Sequence, residues 1–520
     1  MARPFPVSVR LAGGDAPAEV PLEARLEAAA APLRHLTEDA VRRSFGLEPG
    51  ARVLKTTLSV CPECLDHVRA VVHVDAGRVL MTKSCAAHGR SVAVIENDER
   101  YYRLSSKDRW GRAYDAARVD TVPAYEGGCC GGGACNPEET AARSWLEDLT
   151  DQRANKSCTV LVEVTDACNL ACRVCYADAR GDRLMPLQEF RRVVAELVAV
   201  KGGLDSVQVT GGEAALHPEF WEMLDFLHGE PRIARIYLPT NGIAFDTGLA
   251  ARRLARYRDK LIVLLQFDGS DARTNAGLRR ARPERVRERL LGRLEKLRVP
   301  MQLTMTLAAG LNEREIAWVV AQGVKHRNVR LVALQPAFFA GRYELGQDPM
   351  RRATLSDAVK GVAAGLARGR TADFVPIPCS HPNCGWVNLF VRRFGLFFNL
   401  SRHVDLERVM ASVAYKTQLG QDEVRSIVGT GARGLLQSAL AAVGRRLVRP
   451  RDVFGVVIKP FMDRHTYDQD RVSACCHHIV DTHGRLASFC EYNVRKRHAD
   501  SWSRRPRLAS HKVPRLVAGD

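Results

Sequence analysis

Three cysteines lie close together in the segment VTDACNLACRVCYAD, residues 164–178. Cys168, Cys172 and Cys175 are separated by three and then two residues, directly after an apolar run that predicts a strand. The chain has 15 cysteines and begins without an apolar signal core, so we expect reduced thiols whose clustering indicates metal rather than disulfides. Three thiolates can hold three irons of a [4Fe-4S] cube and leave the fourth iron without a protein ligand. That open position is available to a substrate or cofactor.

The elements around these cysteines predict a parallel sheet. From residue 160 to about 345, short apolar strands such as SVQVTGG and MQLTMTL alternate with longer helical segments such as PLQEFRRVVAELVAV. Alternation of this length favours α/β architecture, and six βα units favour a partial (β/α)6 TIM-type barrel. Ligands bind at the carboxyl ends of such strands. The polar and glycine-rich segments TGGEAALHP, PTNG and LQFDG stand at those ends.

The segment CNLACRVC resembles the signature of the radical S-adenosylmethionine (SAM) superfamily, and TGGEAALHP resembles the GGE motif of that superfamily. The resemblance implies that SAM binds the open iron and is reduced to give a 5′-deoxyadenosyl radical, which abstracts hydrogen from the substrate. Ala214 stands where the superfamily usually has proline. By this resemblance, the cofactor-binding residues are Tyr176, Gly211, Gly212, Glu213, Asn241, Gln266 and Asp268.

A second metal site is predicted upstream, in a small β-rich unit. The segments CPEC and KSCAAHG contribute Cys61, Cys64, Cys85 and His88. Two ligand pairs across a small sheet suit a closed tetrahedral site for zinc or a mononuclear iron. The alternative for His88 is an ordinary surface histidine, but three cysteines need a fourth ligand and His88 is the closest candidate.

Nine cysteines remain, and two further [4Fe-4S] clusters would use eight of them. We therefore expect two auxiliary clusters and one spare thiol, without assigning ligands to either cluster. Adjacent cysteines seldom ligate the same iron, so one member of a pair is the best candidate for the spare or for a ligand of a different cluster. The nine are Cys129, Cys130, Cys135 and Cys158 before the barrel, and Cys379, Cys384, Cys475, Cys476 and Cys490 after it.

These predictions divide the chain into six parts. We expect an N-terminal extension at 1–50, a rubredoxin-like metal domain at 51–110 and a Cys/Gly-rich auxiliary-cluster segment at 111–159. The radical SAM partial barrel follows at 160–345, then a C-terminal auxiliary-cluster domain at 346–500 and a basic tail at 501–520. From residue 58 to 495 the order of motifs resembles a subgroup that contains archaeal tetraether lipid synthase and radical SAM methyltransferases of the pterin type.

Two functions follow from that resemblance. The first is hydrogen abstraction from an unactivated carbon of a lipid chain, followed by C–C bond formation. The alternative is C-methylation of a pterin-like or other small molecule. Either enzyme would need a low-potential electron donor such as ferredoxin or flavodoxin. Peptide maturation is disfavoured because no peptide-binding domain is recognisable at the N-terminus.

The net charge of +18 leaves an anionic partner open. A zinc protein that binds nucleic acid would share this charge and the Cys/His groups, but it would not explain the βα pattern, so we expect no nucleic-acid partner. No apolar run reaches the length of a membrane span. The segments 388–400 and 434–461 are interrupted by arginines, and we expect a buried strand and a core helix there rather than surface contact with a membrane. The expected location is the cytoplasm, with peripheral membrane association as an open alternative.

Overall fold

The computed structural model describes residues 26, 28–33, 36–103, 157–346, 348–366, 368–377, 380–393, 396–402, 422, 448–500, 502 and 505–507. Among these residues, no helix combines the length and the apolar character that a bilayer crossing requires.

A small antiparallel sheet forms the first unit. Helix α1 (Glu38–Phe45) begins at Thr37, whose side chain accepts a hydrogen bond from the Ala40 N–H, and ends at Gly46 in a left-handed conformation. The strands follow in meander order as β1 (Arg52–Val60), β2 (His67–Asp75), β3 (Arg78–Cys85) and β4 (Gly89–Glu96). Strand β2 is antiparallel to both β1 and β3, so β1 and β3 run in the same direction. The turn after β1 and the turn after β3 therefore lie at the same end of the sheet.

A large sheet contains most of the other strands. The parallel strands are β5 (Thr159–Thr165), β7 (Leu204–Gly211), β8 (Ile233–Thr240), β9 (Leu261–Gln266), β10 (Met301–Leu307), β11 (Val329–Pro336), β16 (Val453–Ile458) and β17 (His477–Val480). The antiparallel additions are β13 (Val375–Pro376), β14 (Trp386–Arg393), β15 (Leu396–Asn399) and β18 (Leu486–Ser488). Two short strands, β6 (Val174–Cys175) and β12 (Arg342–Tyr343), form a separate ladder.

Helices connect the parallel strands, as the βα pattern predicts. They are α2 (Leu187–Lys201), α3 (Phe220–Gly229), α4 (Gly248–Leu254), α5 (Ala272–Arg279), α6 (Glu284–Lys296), α7 (Ile316–Lys325) and α8 (Leu355–Gly365), with the short α9 (Gln469–Ser473) and α10 (Phe489–Glu491) near the C-terminal end. The apolar faces of α2, α3, α4, α6, α7 and α8 pack on the sheet in one continuous hydrophobic core.

The sheet extends beyond the expected boundary at residue 345. Its order is β13-β14-β16-β11-β10-β9-β8-β7-β5-β17-β18, so the six predicted barrel strands sit in the middle. Strand β16 adds in parallel to one edge of this set and β17 to the other. The segment 388–400 forms parts of β14 and β15, and Phe397 and Phe398 on β15 are exposed.

The sheet curves around a cavity of about 900 Å³, and strands from both halves of the sheet line it. Alternate residues face the cavity, for example Arg235, Tyr237 and Pro239 on β8, because successive side chains of a strand point to opposite faces. The predicted partial barrel is confirmed, and the C-terminal strands complete its wall.

The small sheet docks on the C-terminal segment through a buried ion pair. Lys55, on β1, is 2% exposed, and its Nζ lies 2.9 Å from Asp468 Oδ2 and 2.6 Å from Asp470 Oδ2. Thr57 Oγ1 donates to the same Asp468 carboxylate at 2.8 Å. The charge of Lys55 offsets the desolvation of Asp468 and lowers the pKa of that carboxyl. The contact between the small sheet and the C-terminal segment therefore depends on both charges. Removal of Lys55 alone would leave the Asp468 carboxylate buried without this cation.

Replacement of Lys55 by methionine should destabilise the fold strongly. It leaves the Asp468 carboxylate buried without its cation, and breaking a buried pair from one side costs about 3–5 kcal/mol. Arg192→Met is the matched control, because Arg192 pairs with Glu196 on the surface of α2, where a pair contributes about 0–1 kcal/mol. Guanidinium unfolding followed by circular dichroism checks both. Equal shifts of the midpoint in the two variants would contradict the docking role of Lys55.

Candidate active site and metal centres

The cysteine loop follows β5 and packs directly on the end of β7. Gly211 has φ +127°, and a Cβ built there would lie 2.1 Å from the Thr165 carbonyl oxygen. A Cβ on Gly212 would lie 2.0 Å from the Ala167 carbonyl oxygen. The Gly212 N–H donates to Thr165 O at 2.7 Å, and the Glu213 N–H donates to Ala167 O at 2.8 Å. The two glycines thus allow backbone to contact backbone where the loop begins.

A second glycine contact fixes the other end of the loop. Strand β12 pairs with β6, so Arg342 lies opposite Cys175. Gly341 has φ +57°, and a Cβ there would lie 2.3 Å from Tyr176 O and 2.5 Å from Cys175 O. Arg342 Nε donates to Cys172 O at 2.5 Å. Gly341 and Arg342 were not predicted to be functional residues, since nothing in the segment FFAGR indicates which loop it will contact.

The three cysteines line the cavity at the carboxyl end of the barrel. Burial, and then the charge of Glu213, raise the pKa of Cys168 to about 12, and burial raises the pKa of Cys175. Buried thiols of this kind ionise readily only when a metal replaces the proton. In the part of the chain that the structure describes, these three are not among the groups whose ligand atoms all lie within 4.8 Å. Three thiols on one loop that lines the cavity provide the donor set of a [4Fe-4S] cube, so the residues fit that cluster.

Glu213 is a buried carboxyl at the mouth of the cavity. Thr240 Oγ1 donates to Glu213 Oε1 at 2.8 Å, and the Asn241 N–H donates to Oε2 at 2.9 Å. Burial nevertheless raises the pKa of Glu213 to about 7. The Asn241 side chain donates to Asn169 Oδ1 at 2.7 Å, which ties the end of β8 to the cysteine loop. This carboxyl is therefore poised to accept a cationic group that enters from the cavity.

Tyr176 is held from three sides. Its hydroxyl lies 3.3 Å from Thr210 Oγ1, and its ring meets Phe489 edge-to-face with centroids 5.1 Å apart. The Arg497 guanidinium lies 5.9 Å from the centroid of the Tyr176 ring and pairs with Glu163 at 2.7 Å. The C-terminal segment thus positions the aromatic side chain that follows the third cysteine.

Gln266 and Asp268 take different positions. Gln266 lines the cavity, whereas Asp268 is fully buried beside it and does not line it. Arg279 donates to both Asp268 oxygens at 2.7 and 2.8 Å, and Arg287 Nη1 donates at 3.2 Å. Burial opposes the ionisation of Asp268, but the charges of the two arginines have the larger effect and lower its pKa to about 2. A cofactor role for Asp268 would act through these arginines and stays a prediction.

The two arginines themselves are functional candidates that the sequence analysis missed. Both line the cavity, and both are buried and lie near Cys172. Paired with the single Asp268 carboxylate, they leave a net positive charge in the wall. Arg287 Nη2 is a buried donor without a hydrogen-bond partner among the described residues. Such a donor suits an anionic group in the cavity. The arginine-rich sequence of α5 and α6 is also typical of a solvated surface, so it carried no signal.

The predicted small metal centre is assembled at the edge of the first sheet. His88 Nδ1 lies 3.6 Å from Cys61 Sγ and 3.6 Å from Cys85 Sγ, and Cys64 Sγ lies 4.0 Å from Cys85 Sγ. All four ligand atoms lie within 4.8 Å of one another. Bonds of about 2.3 Å in a tetrahedron place sulfurs about 3.8 Å apart, so the geometry fits one mononuclear ion.

The later cysteines also meet at the cavity. Arg471 Nε donates to Cys384 Sγ at 3.4 Å, and Met462 N donates to Cys490 Sγ at 3.4 Å. Burial raises the pKa of Cys490, and the charges of Cys475 and Cys384 raise it further. These three thiols therefore lie near one another.

Of the other cysteines expected to ligate auxiliary clusters, two lie within the described residues and four do not. Cys158 and Cys476 lie side by side where β5 and β17 pair, since the Cys158 N–H donates to Cys476 O at 2.7 Å. Both line the same cavity. Cys129, Cys130, Cys135 and Cys379 lie outside the described residues.

Comparisons with known families agree with this geometry. The model of the radical SAM superfamily matches residues 162–321, which include the cysteine loop and the carboxyl ends of the first five barrel strands. The chain carries a radical SAM domain and is a radical SAM enzyme. The domain implies a [4Fe-4S] cluster and SAM. A second model, described as the HMPTM N-terminal zinc ribbon domain, matches residues 53–97 and covers the small metal centre.

Relatives of this radical SAM enzyme differ in how much of it they cover. It is 23% identical over 496 residues to 7,8-dihydro-6-hydroxymethylpterin dimethyltransferase of Methanocaldococcus jannaschii. That alignment covers 85% of this chain and 93% of the relative. It is 30% identical to GTP 3′,8-cyclase of Chlorobaculum tepidum over 36% of this chain and 57% of the cyclase.

A solved structure of SuiB from Streptococcus suis with bound SAM matches at a TM-score of 0.34 and 18% identity, over 42% of this chain and 50% of that one. The chain thus spans about half the length of the cyclase and of SuiB.

Replacement of Gly341 by alanine should disrupt the cysteine loop. The new methyl group would collide with the carbonyls of Tyr176 and Cys175, so we expect a reduced iron content after anaerobic reconstitution. Gly346→Ala is the matched control, because Gly346 also has a positive φ of 60° but a Cβ added there would have nothing within 4 Å. Iron and sulfide analysis measures both variants. Equal iron contents would show that the contact of Gly341 with the loop is dispensable.

Proposed function

We propose that this enzyme is a radical SAM C-methyltransferase that acts on a conjugated nitrogen heterocycle of the pterin type. The observation that carries the proposal is the pterin dimethyltransferase relative, whose alignment covers 85% of this chain and 93% of the relative. Coupling of lipid chains, the first expectation from sequence, gains no support from the relatives named above. The alternative expectation of methylation is the one that they favour.

The inner face of the barrel supports a polar planar substrate. Four glutamine side chains line the cavity together with the threonines of β7 and β10; they are Gln208, Gln266, Gln302 and Gln335. Gln266 uses its amide N–H groups on Asp268 and Thr304, so its carbonyl oxygen is available to the cavity. Amides offer donors and acceptors in one plane, as the edge of a heterocycle does. A saturated chain would leave these groups buried without partners, which is costly.

The residues of the cysteine loop would hold the cluster, and the mouth of the barrel would hold SAM. When bound, the cluster supplies the electron that converts SAM to a 5′-deoxyadenosyl radical. Cys168, Cys172 and Cys175 provide its three ligands. Glu213 would accept a hydrogen bond from the amino group of SAM, and the charge of the buried Arg287 guanidinium would offset that of the carboxylate of SAM. Tyr176, fixed by Phe489 and Arg497, provides an aromatic face for the adenine.

The later cysteines support one auxiliary cluster in the same cavity. We assign Cys384, Cys475 and Cys490 to it, because all three line the wall near the substrate space and because the charge of Cys384 raises the pKa of both Cys475 and Cys490. Arg471, which donates to Cys384 Sγ, would partly neutralise the charge of such a cluster. The backbone of Cys476 pairs instead with Cys158, which favours Cys476 as the member of the adjacent pair outside this cluster.

Turnover tests the proposal directly. Purified, anaerobically reconstituted enzyme is supplied with SAM, a one-electron reductant and a reduced pterin that carries a hydroxymethyl group. With SAM as the methyl donor, each methylation replaces one C–H bond by C–CH3, consumes two SAM and two electrons, and yields methionine, 5′-deoxyadenosine and S-adenosylhomocysteine. Mass spectrometry should find the methylated heterocycle in step with deoxyadenosine. Deoxyadenosine without methylated heterocycle, or a coupled product from added phospholipid, would contradict the proposal.

The affinity for SAM should rise with pH through about 7. The pKa of Glu213 is raised to about 7, so its carboxylate form, which accepts the hydrogen bond of the amino group more strongly, is lost as the pH falls through that value. We expect binding about tenfold weaker at pH 6 than at pH 8, the ratio of the ionised fractions. Glu213→Gln should bind weakly at both values, whereas Glu222→Gln, an exposed carboxyl on α3, should behave as the unmodified enzyme. Isothermal titration of cluster-loaded protein measures this. A flat profile in the unmodified enzyme would argue against a contact between Glu213 and the amino group of SAM.

A further inference from the structure

The cavity reaches the opposite end of the barrel and becomes cationic there. All parallel strands place their carboxyl ends at the cysteine loop, so their amino ends lie together at the far end. The residues that line the cavity there include Arg235 on β8, Arg258 and Lys260 just before β9, Arg330 on β11, and Arg451 just before β16. Arg258 and Arg451 are exposed, so the cavity opens to solvent at this end.

The nearby carboxylates are already engaged. Asp259, which also lines this end, pairs with His228 at 2.9 Å. Asp452 pairs with Arg393 at 2.5 Å. Glu295 accepts hydrogen bonds from the backbone N–H groups of Arg327 and Asn328 at 3.1 and 3.0 Å. These acids leave the five cations that line the cavity with a surplus of positive charge.

Two of these cations are held close together at the rim. Arg330 Nη1 donates to the backbone carbonyl of Arg451. Burial lowers the pKa of Arg330, and the charge of Arg451 lowers it further. The charges of Asp452 and Glu295 oppose this shift but do not cancel it. Like charges crowded at a half-buried rim are unfavourable unless an anion is present. A phosphate group would accept hydrogen bonds from several of these guanidinium groups at once.

The distance between the two ends sets the size of the ligand. Arg235 and Asn241 belong to one extended segment, and at 3.3 Å per residue they lie about 20 Å apart. The volume of about 900 Å³ is at the upper end for a cavity that holds one small molecule. The polar side chains Gln302 and Thr304 of β10 line the path between the ends. An elongated polar molecule with an anionic end therefore fits better than a heterocycle alone.

We propose that the basic rim formed by Arg235, Arg258, Lys260, Arg330 and Arg451 binds a phosphate or diphosphate group of the substrate, whose heterocycle points through the barrel toward the cysteine loop. This inference rests on the proposed function for the heterocycle, but it adds a separate binding site for the anionic end. The ligand class is a phosphate ester of a small molecule, and the head group of a phospholipid is the competing source of the same chemistry.

Inorganic pyrophosphate is the probe, titrated calorimetrically into the full-length enzyme without SAM or reductant. The unmodified enzyme should bind it, with an affinity that falls as salt rises. The double variant Arg330→Gln/Arg451→Gln should bind at least about tenfold more weakly, as loss of two charge-assisted contacts predicts. The control Arg192→Gln/Arg485→Gln removes the same charge from surface pairs away from the cavity and should stay within about twofold. Because Arg330 is half-buried, Arg258→Gln, an exposed member of the rim, provides a second variant that retains the fold.

Each outcome decides a separate point. No binding by the unmodified enzyme, or equal weakening in the control, would overturn the inference. Binding to vesicles that contain phosphatidylglycerol, lost in the same double variant while pyrophosphate does not bind, would overturn the small-molecule assignment. Pyrophosphate binding without methyl transfer to either the hydroxymethyl pterin or its diphosphate ester would remove the proposed function and leave the rim site. Methyl transfer without pyrophosphate binding would do the reverse.

Discussion

Contact between backbones at the carboxyl end of the barrel is the constraint on which the rest depends. Gly211 and Gly212 place the end of β7 directly on Thr165 and Ala167, and Gly341 places the loop after β11 on the third cysteine and Tyr176. A side chain at any of these positions would need space that carbonyl oxygens occupy. The cysteine loop is therefore fixed from both sides by main chain, and the thiols face the cavity together with Glu213.

Buried ion pairs also hold the site together, and the region after the barrel contributes residues to them. Arg497, from that region, pairs with Glu163 on β5 and packs on Tyr176. Asp463 pairs with Arg352 with both side chains buried. Strands β16 and β17 extend the two edges of the barrel sheet, and Cys384, Cys475 and Cys490 reach the same cavity as the cysteine loop. The C-terminal region is thus part of the active-site wall rather than an appended unit.

Local patterns in the sequence predicted the elements that depend on local physics. The strand MQLTMTL is found as β10 at Met301–Leu307, and the helix expected at 186–200 is found at Leu187–Lys201. The spacing of CPEC and KSCAAHG located the small metal centre because both ligand pairs lie in turns at one edge of a meander. These predictions needed only periodicity, turn chemistry and ligand spacing.

Non-local pairing could not be obtained in the same way. Nothing in the apolar run of β16 or in CCHHIV tells which sheet edge these strands will join, because edge pairing depends on strands far away in the chain. Arg279 and Arg287 were missed for a related reason. An arginine on a helix usually faces solvent, and only the three-dimensional structure shows that these two turn inward to Asp268. The basic rim at the far end likewise combines residues from β8, β11 and the segments before β9 and β16.

Electron paramagnetic resonance of the reduced, anaerobically reconstituted enzyme tests the central claim most directly, namely that the cysteine loop holds a cube with one open iron in contact with SAM. A variant in which Cys384, Cys475 and Cys490 are replaced by alanine removes the signal assigned to the auxiliary cluster. In that variant, we predict a [4Fe-4S]⁺ signal that changes on addition of SAM and that disappears when Cys168, Cys172 and Cys175 are also replaced. The absence of any signal that responds to SAM, or a SAM-responsive signal that survives the loss of those three cysteines, would contradict the account.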